Sequence, residues 1–284
     1  MRFAYLIVAH GSFRLLEELI HALDSSENDI FVHIDKKCGD VNLHIKTQYS
    51  KLFFIKRTSV EWGGVSMIKA TLNLLSESAK GNYDYYHLLS GVDFPIKSNK
   101  HIAEFFEKNK GKEFVGFCDV DKQLMENRLA YYHLINGNKV RNSYRMHNLN
   151  EKLIRIQKKL HINHIRDISN FRKGCNWFSI TNQLAHDLVK NSSKLLKLYK
   201  YTNCTDEIFL QTYIYQNSLM DRLYSVEDEY MGCVRKIDWQ RGIPYVWQLN
   251  DYEELINAPT YYLYARKFSE EDLDLVRKIA TYIR

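Results

Sequence analysis

Two acids stand side by side in "CTDEIF", Asp206 and Glu207, directly before an apolar helical pattern. Acids at a helix start complement the positive end of its dipole and cap free N–H groups. If the helix aims its start into a cleft, one acid serves the cap and the other faces a substrate as general base. A lone acid stands in "YYHLLSGVDFPIKS", Tyr85 to Ser98, where an apolar run drops into Ser90-Gly91, reaches Asp93 and is closed by Pro95. That place at the mouth of a strand suits an Asp-x-Asp pair holding a divalent ion on a diphosphate, but two positions earlier stands Gly91. A hard cation normally takes more than one carboxylate beside phosphates and waters. "DVD", Asp119 to Asp121, has the letters of such a pair, although a turn with two solvated acids is their commoner meaning.

Asp35 closes "FVHID", where nucleotide-binding α/β folds place an acid against a base or ribose; the plain alternative is a turn cap. In "VEWGGVS", Gly63 and Gly64 permit close approach, and Trp62 could cover a planar base or a sugar face or sit in the core. Late cations lie among aromatics: Arg241 near Trp239 in "DWQRG", and Arg266-Lys267 before Phe268 in "ARKF". Solvated charge explains them by default. A site that expels a diphosphate without a metal ion, however, needs fixed cations.

These residues need elements to position them. "FAYLIVAH", "DIFVHID", "KLFFIKR" and "YYHLLSG" are short apolar runs that read as strands. Between them lie amphipathic helices, "SFRLLEELIHAL" with Ser12 as its cap and "GGVSMIKATLNLLSESA". This order predicts an α/β fold with a mostly parallel, doubly wound sheet and helices on both faces. Ligands of such sheets sit beyond the carboxyl ends of the strands, which directs attention to His10, His33, Asp35, Arg57, Trp62 and Asp93. Downstream, "KHIAEFFEKN", "NQLAHDLVKNS" and "DEIFLQTYIYQ" read as helices, the last capped by Thr205 or Asp206, while "KEFVGFC" and "CNWFSIT" read as strands. From Lys139 to Lys173 ten Lys/Arg face two acids, Glu151 and Asp167, and "LNEKLIRIQKKL" has the pattern of a basic amphipathic helix.

With 284 residues, 45% hydrophobic content and three prolines, the chain can bury one large core. No linker or repeat divides it, so the expectation is a single domain over 1–284, with a nucleotide-binding half (1–98) and an acceptor and catalytic half (99–284). Five cysteines without a C-x-x-C pair suggest reduced thiols and no zinc site. No apolar run reaches 18 residues, and "AYLIVAH" lacks a cleavage pattern. The expected location is therefore the cytoplasm. A net charge of +6 suits anionic small molecules or a membrane surface and does not by itself suggest nucleic acid.

Taken together, "AYLIVAH", "FVHID", "VEWGGVSMIKATLNLL", "LLSGVDFPIKS", "KGCNWFSIT", "CTDEIFLQT", "DWQRG" and "ARKF" resemble, in order, the core-2/I-branching β-1,6-N-acetylglucosaminyltransferases, a family that includes the peptide O-xylosyltransferases. The chain looks like a compact bacterial-type member. The resemblance implies a GT-A-like glycosyltransferase fold and an inverting reaction that moves a sugar from a UDP-sugar to a hydroxyl of a glycan or lipid-linked glycan without a metal cofactor. GlcNAc is the first choice of sugar; xylose, another sugar, or a non-catalytic glycan-binding role on the same fold are the alternatives. It also implies roles. Val8, Ala9, His10 and Asp35 would hold uridine with Trp62 nearby, and Asp93 would occupy the place of the missing metal motif. Arg241 and Lys267 would bind the diphosphate, and Glu207 would be the base, with Asp206 supporting the helix start on the acceptor side. Trp239 and Arg128 would border the acceptor. The basic segment adds the expectation of peripheral contact with an anionic membrane.

Overall fold

The computed structural model describes residues 1–135 and 137–284, with the side chains of residues 138 and 139 outside the description. Lys139, the first cation of the basic segment, is thus outside it as a side chain. Nine strands are present among the described residues: β1 (Phe3–Ala9), β2 (Asn28–Ile34), β3 (Lys51–Phe54), β4 (Tyr85–Ser90), β5 (Asp93–Pro95), β6 (Phe114–Val115), β7 (Phe178–Thr181), β8 (Arg235–Ile237) and β9 (Tyr264–Arg266). The helices are α1 (Phe13–Leu23), α2 (Val65–Ser78), α3 (Asn99–Lys108), α4 (Lys122–Leu129), α5 (Asn138–Arg141), α6 (Tyr144–Lys159), α7 (Asn182–Lys190), α8 (Ser192–Leu198), α9 (Phe209–Gln216), α10 (Glu229–Gly232), α11 (Tyr252–Ile256) and α12 (Leu273–Ile283).

Six strands form one sheet in the order β3-β2-β1-β4-β7-β6, and β5-β9-β8 form a smaller one. The first four are parallel, while β7 runs against β4 and β6 against β7. Strands from both halves of the chain therefore share the large sheet. Alternation along β1 sends Phe3, Tyr5, Ile7 and Ala9 into one core with α1, α3 and α12, and Ala4 and Leu6 into another with α2 and α7. Helices thus cover both faces. Helix α1 buries the stripe Leu15, Leu16, Leu19, Ile20 and Leu23 set by its helical period. Ser12 is its N-cap residue, but it lies in the left-handed region at φ 52° and its side chain makes no capping bond.

Two expectations need correction. "KEFVGFC" contributes only Phe114–Val115 as strand, because the chain turns away to begin the excursion toward α4. The helix in "DEIFLQTYIYQ" starts at Phe209, and neither Thr205 nor Asp206 caps it; a 3-10 turn over Thr205–Glu207 intervenes, with Ile208 at the helix N-cap.

The reversed direction of β7 decides which residues reach the edge of the sheet. Tyr85 pairs with Thr181 and His87 with Ser179, so the chain entering β7 lies at the carboxyl end of β4. Past His87 the two strands part, and buried Arg235 of β8 fills the gap. Its guanidinium donates to the carbonyls of Leu88 at 3.3 Å and Phe178 at 2.9 Å and to Ser179 Oγ at 3.2 Å, and lies over the Tyr264 ring. This bolts the small sheet onto the large one.

Candidate active site

The carboxyl ends of the parallel strands meet along one edge. Asp35 N–H donates to the Ala9 carbonyl at 2.8 Å, and Gly91 N–H donates to that of Val8 at 3.0 Å, which ties the ends of β1, β2 and β4 together. Val8, Ala9 and Asp35 are brought side by side there, followed by His10, which is exposed. Asp35 is buried, and its carboxylate accepts from Lys37 N–H at 2.9 Å and Val60 N–H at 3.3 Å. His33 lies deeper, with Nε2 2.8 Å from Thr58 Oγ1, and burial lowers its pKa.

Asp93 is 2% exposed, and its cross-strand neighbour on β9 is Arg266. The guanidinium reaches Asp93 Oδ1 at 2.7 Å and Ser90 Oγ at 2.6 Å, while Ser90 N–H closes on Asp93 Oδ2 at 2.7 Å. The acid that the sequence leaves unpartnered thus fixes an arginine. That arginine also lies 4.6 Å from the Trp177 ring centroid. Lys97 of the same motif holds the end of α11 through the carbonyls of Ile256 and Ala258.

Trp177 leads to the acid pair. Its neighbour Asn176 donates to Asp206 Oδ2 at 3.3 Å, and Gly174 N–H donates to the Glu207 carbonyl at 2.9 Å. Glu207 is held by two cations, both on the same oxygen: Arg128 Nη1 at 2.7 Å and Lys173 Nζ at 3.4 Å from Oε2. Oε1 has no partner among the described residues. Burial and the neighbouring Glu207 charge push Asp206 up to about 6. Burial acts to lower Lys173, but the surrounding Glu207, Cys118 and Glu229 outweigh it and its pKa is raised. A second connection runs to Trp62. Gly63, at φ 72°, accepts from Cys204 N–H at 2.7 Å, and a Cβ there would stand 2.8 Å from Asn203 Oδ1, so the tryptophan loop seats directly on the acid-bearing turn.

The structure brings Asp93, Glu207, Asp206 and Arg128 into this contact chain. Arg128 touches Glu207 itself. Arg241 lies on a different footing, engaged by Asp238, by Asp251 at 3.2 Å and by Glu254 at 2.7 Å, and stacked over Tyr245 and Trp247. Lys267 is nearby through the backbone, bonded to Tyr245 and Trp247, and has no ion-pair partner among the described residues. Trp239 and Trp62 are each half exposed. Asp121 caps α4 through Gln123 N–H and Asp119 is exposed, the turn meaning of "DVD". Lys173, Asn176 and Trp177 are site residues to which the sequence alone assigns no role, whereas Arg266 is singled out there with Lys267 as a late cation. Only the reversal of β7 places three of them.

A model of the Core-2/I-Branching enzyme family matches residues 3–253. The chain belongs to this family. The human N-acetyllactosaminide β-1,6-N-acetylglucosaminyl-transferase is 29% identical over 149 residues, which cover 50% of this chain and 36% of that protein. Dog xylosyltransferase 2 is 22% identical over 293 residues, 94% of this chain and 32% of its own length. The chain thus spans about a third of the length of these curated relatives. Among solved structures, the apo form of the glycosyltransferase GlyE of Streptococcus pneumoniae aligns with 99% of this chain and 60% of its own, at 11% identity and a TM-score of 0.39.

Proposed function

We propose that the protein is an inverting glycosyltransferase that moves a sugar, GlcNAc first among the candidates, from a UDP-sugar to a hydroxyl of a glycan acceptor. The observation that carries this reading is the holding of Glu207 by Arg128 and Lys173 on Oε2 alone, which leaves Oε1 to receive a proton. The acceptor oxygen attacks the anomeric carbon as its proton passes to Oε1. The bond to UDP breaks on the opposite face, its electron pair leaves with the diphosphate, and the anomeric configuration inverts. Support for the donor class comes from family membership and from the names of the relatives, one an N-acetylglucosaminyltransferase and others xylosyltransferases. Val8, Ala9, His10 and Asp35 take the uridine.

Charge on the leaving diphosphate falls to Lys267, Arg266 and Arg241, with no metal required. Lys267 is free to do this at once, whereas a diphosphate must compete with three carboxylates for Arg241. Release of UDP from a panel of UDP-sugars tests the reading. Glu207→Gln should lower turnover by about 10²- to 10⁴-fold, the usual contribution of a general base, with UDP affinity within twofold of the parent; a protein that releases no UDP from any donor is a glycan binder instead. Turnover should survive EDTA. Activity silenced by chelator and restored by Mn²⁺ would contradict the metal-independent mechanism.

The second part of the proposal concerns location. Opposite the buried Asn150, Ile154 and Gln157, α6 exposes Arg145, Lys152, Arg155 and Lys159 in one stripe. Beside it runs an apolar stripe of Leu149, Ile156 and Leu160, which are 43%, 43% and 62% exposed. That paired arrangement suits peripheral docking on an anionic bilayer, where a lipid-linked acceptor would be presented.

A further inference from the structure

A cavity of about 480 Å³ opens between the Trp62 loop and the α5–α6 segment. This lies within the roughly 300–1,000 Å³ range of small-molecule sites. Tyr144 offers it an aromatic face, Trp62 lines it with the Arg141 guanidinium over one side of its ring at 5.2 Å, and Asn142, Asn150 and Asn203 offer it amides. Among the described lining residues there is no carboxylate. Asn150 is 6% exposed, and its Oδ1 has no hydrogen-bond partner among the described residues. A buried amide oxygen without a partner costs stability unless something donates to it. The wall is also closely fitted: a Cβ on Gly137 would stand 2.9 Å from Glu61 Cβ and 3.1 Å from the Trp62 carbonyl oxygen, so this segment and the tryptophan loop are built against one another.

We infer that this cavity is a saccharide subsite that holds a pyranose ring of the acceptor. A sugar ring presents a C–H face to an aromatic side chain and hydroxyl donors and acceptors at its rim. Those are the needs that a tryptophan, a tyrosine and three amides meet. The cavity also lies next to the chemistry. Asn203 N–H donates to the Arg128 carbonyl at 3.0 Å, and Arg128 holds Glu207. A glycan seated there extends from the place where its reacting hydroxyl would meet Oε1. The inference deepens the transferase reading and rests on it for the direction in which the glycan runs.

Saturation-transfer NMR on the unmodified protein, with N-acetyllactosamine, chitobiose and maltotriose as probes and UDP as a separate ligand, tests it without turnover. At least one saccharide should bind with UDP present. Its affinity should fall at least tenfold in Asn150→Leu and in Tyr144→Ala while UDP affinity stays within twofold; Glu207→Gln should keep both. Tyr144 is 80% exposed, so its replacement leaves the fold intact even if Asn150→Leu does not. Three results overturn the subsite: no probe binds, binding is unchanged in both variants, or UDP affinity falls together with saccharide affinity. The last would make the cavity part of the donor site. Failure of UDP itself to bind the unmodified protein would instead count against the transferase reading.

Discussion

At the scale of single residues, the acids divide the work by who holds them. Glu207 is held on one oxygen, and the other has no partner among the described residues. Asp93 is fully committed to Ser90 and Arg266 and acts only through the arginine it orients. Removing one member of a buried ion pair strands the other at a typical cost of about 3–5 kcal/mol. Arg266 keeps some access to solvent, so the lower end applies here. Asp93→Ala should cost about 3 kcal/mol in urea denaturation and weaken UDP-sugar binding as well. An unchanged midpoint would mean that Arg266 finds other acceptors. The partner of Asp93 could not be read from the sequence, because Arg266 arrives from 173 positions away along the chain. Likewise, nothing local in "DWQRG" reveals that Asp251 and Glu254 close around Arg241. The turn meaning of Asp119 and Asp121 is local and could be read directly, although the helix that Asp121 caps was not among the expectations.

At the scale of elements, β7 joins the two sets of functional groups. Its N-terminal approach delivers Lys173, Asn176 and Trp177 to the carboxyl edge, and its C-terminal end is anchored by Glu113. That acid is 1% exposed; it accepts from Thr181 N–H at 2.9 Å and also bonds the Thr181 hydroxyl. Burial pushes its pKa from the ordinary 4.5 up to about 7. The folded state therefore binds this proton more tightly than the unfolded chain does. Stability is highest below about pH 4.5 as far as this group is concerned, and falls as pH rises toward 7. At about 1.4 kcal/mol per pH unit the whole loss is about 3–4 kcal/mol. Urea unfolding at pH 5 and pH 8 should reveal that slope in the parent protein and a flatter one in Glu113→Gln. The parallel strands and their helices were legible because apolar alternation and helical period are local signals. The brevity of β6 and the direction of β7 were not, since pairing partners decide both.

The whole molecule places its cations unevenly. Lys267 and Arg266 lie at the sheet edge, while the basic stripe of α6 faces outward from the excursion between β6 and β7. Each Lys or Arg near an anionic surface contributes about 1 kcal/mol, screened by salt. Four such residues beside an apolar stripe should float the protein with phosphatidylglycerol vesicles at low salt and much less at about 0.5 M. Lys152→Glu with Lys159→Glu should abolish flotation; equal recovery on neutral vesicles would exclude an electrostatic origin. Among the described residues no helix is long and apolar enough to cross a membrane.

The excursion from Asp119 to Arg172 leaves and re-enters the sheet at one spot, for Cys118 and Lys173 are paired across a bridge. A segment whose two ends are clamped together can be exchanged for another of different length without disturbing the strands behind it. A stretch grafted from a relative should leave the sheet folded only if it refills the core positions of Met125, Leu129, Ile165 and Phe171 and brings its own counterpart of Arg128, the excursion's contact with Glu207.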